Sequence, residues 1–203
     1  MGSEKLMEIE SHPFEPFLPE NARLLMLGTF PPSEKRWSVR FFYPNYINDM
    51  WRIAGLLFFR DKDYFVDAAQ KRFRLDLLIP FLKEQGIALF DTATRIRRTT
   101  GTASDKDLEI VEETDLHQML RGLPCCESVV TAGQLATEIA CSQFGVLPPK
   151  VGESVSFEFE GRQLQLYRMP SSSRAYPMKL EQKAAYYQKV LLPRSPLQLQ
   201  APQ

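Results

Sequence analysis

The residues of this chain equipped for chemistry fall into four clusters. The first is Gly28-Thr29-Phe30-Pro31-Pro32, where the glycine lets the main chain approach a ligand closely and offer the N–H groups of Thr29 and Phe30 to a carbonyl oxygen. The second joins Phe42 and Tyr43 to Asn48. Its aromatic faces can stack on a planar heterocycle, worth roughly 1–3 kcal/mol per ring. Its carboxamide can hold a water or donate to a ligand with no shift in pKa. The third is Asp91, able to accept an N–H from a heterocycle edge, followed by Arg95, Arg97 and Arg98. The fourth is Ser171-Ser172-Ser173-Arg174, whose hydroxyls can hydrogen-bond phosphate oxygens. Each cluster also has a purely structural role open to it. Phe42 and Tyr43 can pack in a core, Gly28 can make a plain turn, and the serines can do the same. Asn48 can cap a helix while still meeting a ligand. Asp91 can cap a turn or pair with Arg95. The arginines, with Lys35, Arg36 and Arg40, can be a solvated face or a local phosphate-binding surface.

Composition narrows the chemistry. The chain has 203 residues and 23.4 kDa, with 44% hydrophobic and 25% charged residues, which suits one ordinary domain. Lys plus Arg, 25, balances Asp plus Glu, 25, so any nucleic-acid surface must be local rather than global. Three cysteines, Cys125, Cys126 and Cys141, form no C-x-x-C pair, and only His12 and His117 are available as imidazoles. A disulfide framework, an iron–sulfur cluster, a zinc site and a histidine triad are therefore not expected, and neither histidine is assigned a role. The expectation is a site with no metal and no cofactor. No apolar run nears the roughly 20 residues of a membrane span, and the N-terminal residues are polar and acidic, so a cytoplasmic protein without membrane partners is expected.

The elements that must position these residues follow from pattern. Residues 1–22 carry Pro13, Pro16 and Pro19 among Phe14, Phe17 and Leu18, which reads as an extended arm with apolar anchors. Arg23–Phe30 reads as a buried central strand and Ser33–Asn48 as a long functional loop. Asp49–Phe59 and Phe73–Glu84 have helical periodicity, the second interrupted by Pro80, where a kink is expected. Gly86–Ala93 is a second strand and Thr94–Ser104 an arginine-bearing loop. Thr114 or Asp115 can cap a short helix through Leu120. Ser128–Thr131 is a third strand, followed by a helix over Ala132–Phe144. Val155–Phe159 and Leu164–Arg168 make a hairpin or strand pair. After a loop over Met169–Tyr176 comes a final helix with Leu180, Ala184, Tyr187 and Leu191 on one face, and the tail 193–203 is expected to be disordered. Alternating strands and helices predict an α/β fold: a three-layer α/β/α sandwich with a central, mainly parallel four-stranded sheet in a single domain over 1–192. Ligands of such sheets bind beyond the carboxyl ends of the strands, where the chemical clusters should converge.

Four segments in order carry a resemblance over about residues 23–192. LLMLGTFPP (Leu24–Pro32) is similar to a strand-one loop of the type hydrophobic-G-x-x-P. FFYPNYINDMW (Phe41–Trp51) is similar to Y-Y-x-H-P-R-N-x-F-W, with Phe42 and Tyr43 on the aromatic positions, Asn48 on the asparagine and Trp51 on the tryptophan. GIALFDTATRIRRTTG places Asp91 on a position that often reads a base, and MPSSSRA (Met169–Ala175) is similar to a P-S-T-S-P-A loop that grips the DNA backbone. The chain thus resembles the uracil-DNA glycosylase superfamily, in its mismatch-uracil and hypoxanthine-DNA glycosylase branch. It departs at Phe30, where many relatives carry Asn, Asp or Glu, at Asn45 and Tyr46 in place of His and Pro, and at Arg174 in place of the last proline. The hypoxanthine-acting branch tolerates an apolar residue at the first of these and relies on the asparagine matched by Asn48.

The resemblance implies a monomeric, monofunctional DNA glycosylase of base-excision repair, acting on DNA with deaminated or mismatched bases. A flipped uracil or hypoxanthine would be hydrolysed from its sugar to leave an abasic site. Asn48 is the implied catalytic residue, Thr29, Phe30, Phe42, Tyr43 and Asp91 the base-binding residues, and Ser171, Ser172, Ser173 and Arg174 the DNA-backbone contacts. Arg174 or Tyr176 is a candidate wedge for the gap left by the flipped nucleotide. No lysine matches a Schiff-base position, so strand cleavage is not expected. Two other readings remain open at this point: a catalytically inactive nucleic-acid-binding relative of the same fold, and a nucleoside or nucleotide hydrolase.

Overall fold

The computed structural model describes residues 8–99 and 105–192. The end of the expected arginine loop, Thr100–Ser104, and the expected tail from Pro193 lie outside the described residues. In chain order the elements are β1 (Ile9–Ser11), β2 (Leu24–Gly28), α1 (Met50–Phe59), β3 (Val66–Asp67), β4 (Arg72–Phe73), α2 (Leu75–Gln85), β5 (Ile87–Asp91) and β6 (Ala93–Arg98). Then follow β7 (Leu108–Glu113), α3 (Leu116–Arg121), β8 (Ser128–Ala132), α4 (Gln134–Phe144), β9 (Ser154–Phe159), β10 (Arg162–Met169) and α5 (Leu180–Leu191).

Leu24 to Leu27 of β2 are all buried because the strand lies in the interior of a sheet ordered β5-β2-β8-β10-β9. The β5–β2, β2–β8 and β8–β10 pairs are parallel and β10–β9 is antiparallel. The sheet therefore has five mixed strands rather than the four of the sequence expectation. The added strand comes from the hairpin: Glu160 (φ 48) and Gly161 (φ 80) both occupy the left-handed region, the geometry of a two-residue turn that lets β9 pair with β10 along its length. Helix α1 packs on α5 and α3 on α4. Helix α2 starts at Leu75, two residues later than periodicity suggested, because Arg72–Phe73 is engaged in the small β3–β4 ribbon, and it runs through Pro80 to Gly86 (φ 64).

The arginine segment is the second departure. Ala93–Arg98 is not a loop but the central strand of a separate sheet, β1-β6-β7, antiparallel to both neighbours. Charge concealed its period: Ala93 and Ile96 are buried, while Arg95, Arg97 and Arg98 reach Glu112 (3.5 Å), Glu109 (2.8 Å) and Glu10 (2.9 Å) on the flanking strands. Through β1, and through a bridge between Phe17 and Leu89, the N-terminal arm is held against the end of the main sheet.

Candidate active site

The carboxyl ends of β2 and β5 lie side by side, with Gly28 opposite Asp91 in register. Glycine is required here by a close approach: a Cβ on Gly28 would sit 2.6 Å from Asp91 Oδ1. The turns beyond both strands are locked, Thr92 N–H donating to Gly28 O (2.9 Å), Ala93 N–H to Thr29 O (3.2 Å) and the Thr114 hydroxyl to Asp91 O (2.6 Å). Phe30, Phe42 and Asp91, taken from separate parts of the chain, are brought together around a residue that sequence reasoning set aside, while the Thr29 hydroxyl turns to Asp105. His12 of the arm has a side chain only 4% exposed, with Nε2 2.9 Å from Asp91 Oδ2. With Nε2–H donating to the carboxylate, Nδ1 accepts from Phe14 N–H at 3.1 Å. Its ring is walled by Phe90, Phe30, Phe14 and Phe42 at centroid distances of 4.5, 5.2, 5.9 and 6.2 Å. Phe42 is thus a buried wall of an aromatic box, and its carbonyl accepts from Trp51 Nε1 (3.0 Å). Phe30 carries the Arg98 guanidinium over its face at 5.7 Å.

Tyr43 differs from Phe42. Its backbone is left-handed at φ 50, an uncommon conformation for a bulky residue, and its ring meets Trp51 edge-on at 5.5 Å. Its hydroxyl is buried with no hydrogen-bond partner among the described residues, as is that of Thr92. Burial, reinforced by the charge of Asp91, pushes the phenol well above its ordinary value, so it stays an O–H donor at any physiological pH. A second carboxylate joins the cluster from the start of the β7 segment: Asp105 Oδ2 accepts from Thr29 Oγ1 at 3.2 Å. Burial raises its carboxyl above the ordinary carboxylate range, the Thr29 hydrogen bond opposes this, and Asp91 adds to it.

Asn48 uses Oδ1 to accept Met50 N–H (2.9 Å) from one residue before the N-cap, which is Asp49, while its backbone carbonyl accepts from the Arg52 side chain (3.2 Å). The serine loop is docked on the same helix start by Asp49, another residue the sequence did not single out. Asp49 N–H donates to Ser172 O (2.9 Å), and its carboxylate takes Arg174 at 3.1 Å and Lys183 Nζ at 2.8 Å. Lys183 is fully buried on α5 and also donates to Ser173 O (2.8 Å). A lysine on the same helical face as Ala184 and Tyr187 is the signal that could have found this pair. Ser172 is buried, Ser171 Oγ accepts Ser173 N–H (3.2 Å) and Ser173 Oγ accepts Ala175 N–H (3.3 Å), which leaves Ser173 and Arg174 on the surface. Arg174 is an ion-pair partner in this arrangement, and Asp91 pairs with His12 rather than with Arg95.

Among the described residues, no group of three or more His, Cys, Asp or Glu side chains is placed to hold a metal ion. An open groove of about 1000 Å³ runs between Ser38–Arg40 and Val66–Asp76, where Arg72 and Arg74 are already paired with Asp67 and Asp76. No helix among the described residues is long and apolar enough to cross a membrane.

Among solved structures, the chain is similar to a protein of Methanosarcina acetivorans determined by solution NMR and described as a candidate uracil DNA glycosylase. Identity is 21%, the match covers 91% of this chain and 97% of that one, and the TM-score is 0.59. The two share a fold. No family model matches the chain, and no curated protein matches it with significance.

Proposed function

We propose that this protein is a DNA glycosylase-like hydrolase that removes a flipped uracil or hypoxanthine from its sugar and leaves an abasic site. The observation that carries the reading is the buried Tyr43 hydroxyl, without a hydrogen-bond partner among the described residues and within reach of the Asp91 charge at the carboxyl end of a parallel strand. A donor kept protonated and dry, with no acceptor among the described residues, suits a planar ligand that develops negative charge. Breaking an N-glycosidic bond produces that charge on the departing base and an oxocarbenium-like sugar. In this reading Tyr43 donates to the base anion. Asn48 holds water through its remaining amide, and the serine loop, clamped by Asp49 and Lys183, takes the flanking phosphates. Lys183 Nζ is committed to Asp49 and Ser173 O, which fits a monofunctional enzyme with no Schiff base.

The second reading, a nucleic-acid-binding relative without catalysis, is favoured by two facts: Phe30 is apolar, and the Asn48 side-chain oxygen is spent on Met50 N–H. End-labelled oligonucleotides carrying uracil or hypoxanthine, single-stranded and mispaired, separate the two when treated with protein and then alkali. Cleavage that is lost in Asn48→Ala is expected. Binding without cleavage on every substrate would replace the enzyme by the binding module.

A further inference from the structure

Position 30 is phenylalanine, so the loop after β2 offers no polar side chain there for the attacking water. The same strand ends nevertheless hold two carboxylates, and they are not equivalent. Asp91 spends Oδ2 on His12 at 2.9 Å, its side chain is only 11% exposed, and its Oδ1 lies against Gly28, 2.6 Å from where a Cβ would sit. Asp105 is half-buried and spends Oδ2 on the Thr29 hydroxyl at 3.2 Å. Its Oδ2 also lies 3.6 Å from the position of a Cβ on Gly133, the residue that precedes the 11-residue helix α4, whose N–H dipoles favour an anion. An independent sign that a ligand belongs at these strand ends is the Tyr43 hydroxyl, buried and without a hydrogen-bond partner among the described residues; the Asp91 charge acts on it and on Asp105 alike.

We infer that Asp105 is the catalytic base of the hydrolysis proposed above, taking the proton of the attacking water. The inference rests on that reading. As the C1′–N bond breaks, its electron pair leaves on the base, which is held by the Tyr43 O–H. The water oxygen forms the new bond to C1′, and its proton passes to the Asp105 carboxylate, which later returns it to solvent while the released base takes up a solvent proton. Before transfer, the negative carboxylate also faces the positive sugar. Burial and the neighbouring Asp91 make Asp105 more basic than a free carboxylate, as the role requires.

The test is Asp105→Asn in the full chain, with Asp105→Glu beside it. Single-turnover cleavage in the asparagine variant is expected to fall by about 100-fold or more, the usual scale for losing a general base, with unchanged affinity for undamaged duplex. The glutamate variant should retain part of the activity. Cleavage at the wild-type rate in Asp105→Asn would overturn the assignment while leaving the glycosylase reading intact. A second measurement does not need turnover. Duplexes carrying a cationic pyrrolidine or a neutral tetrahydrofuran in place of the target sugar are compared by anisotropy. The wild type is expected to prefer the cation, and Asp105→Asn to lose that preference while binding tetrahydrofuran normally. If the wild type cleaves no base, the proposed reaction fails, and the cation preference still decides Asp105. No preference in the wild type, or the same preference in both proteins, overturns the role.

Discussion

Replacing Tyr43 with phenylalanine removes one oxygen and nothing else, and the structure gives that oxygen opposite effects on stability and on chemistry. In the fold the hydroxyl is buried without a partner among the described residues, close enough to Asp91 for that charge to raise its pKa. An unsatisfied buried polar group costs about 1–3 kcal/mol, so Tyr43→Phe should stabilise the fold by about 1 kcal/mol, taking the lower end. For a chain of this size that is a rise in Tm of roughly 2–4 °C. The left-handed backbone at φ 50 and the edge-on contact with Trp51 at 5.5 Å are shared by both side chains and cancel from the comparison. If the hydroxyl donates to the departing base, its loss should slow single-turnover cleavage by about 10²–10³-fold, the cost of removing one donor from an oxyanion site. Calorimetry and a cleavage time course on one protein preparation read both numbers. A variant that is less stable than wild type and cleaves at the wild-type rate would refute the reasoning, because the hydroxyl would then be satisfied within the fold and idle in the reaction.

Lys183→Met leaves the buried Asp49 carboxylate with Arg174 alone. It should lower unfolding free energy by about 3 kcal/mol in urea titration, the low end for breaking a buried pair because one partner remains. Asp105→Asn should act on stability in the opposite direction at neutral pH. Its carboxyl is raised in the fold by burial and by Asp91, so the wild-type acid contributes stability only in its protonated form. That contribution is complete below the ordinary value of 3.8 and is lost as pH rises through the folded value. Thermal melts should therefore show the asparagine variant more stable than wild type at neutral pH, with the advantage disappearing under acid; an advantage constant with pH would contradict the assignment of the shift.

Local pattern was enough for the elements that bury one face. Leu24–Leu27 announces an interior strand because four consecutive apolar residues end at Gly28 and Pro31, and Ala184, Tyr187 and Leu191 recur at helical spacing because one side of α5 meets the core. The sequence pattern makes Asn48 the cap of α1, but the helix begins one residue later, with Asp49 as its N-cap and the Asn48 oxygen on Met50 N–H, a shift that local pattern does not resolve. The arginine strand was not legible, because ion pairs to β1 and β7 let charged residues occupy a central strand whose only apolar marks are Ala93 and Ile96. The sequence by itself determined the class of fold and the loops that end its parallel strands, since burial imprints a period on neighbouring residues. Only the tertiary structure decided what those loops contain. His12 meets Asp91 across 79 positions and Lys183 meets Asp49 across 134, while Asp105 reaches Thr29 across 76. Each partner taken alone has the look of an ordinary surface residue. A charge or a hydrogen bond leaves no period in the chain, and its energy depends on the dielectric and the distance that folding creates.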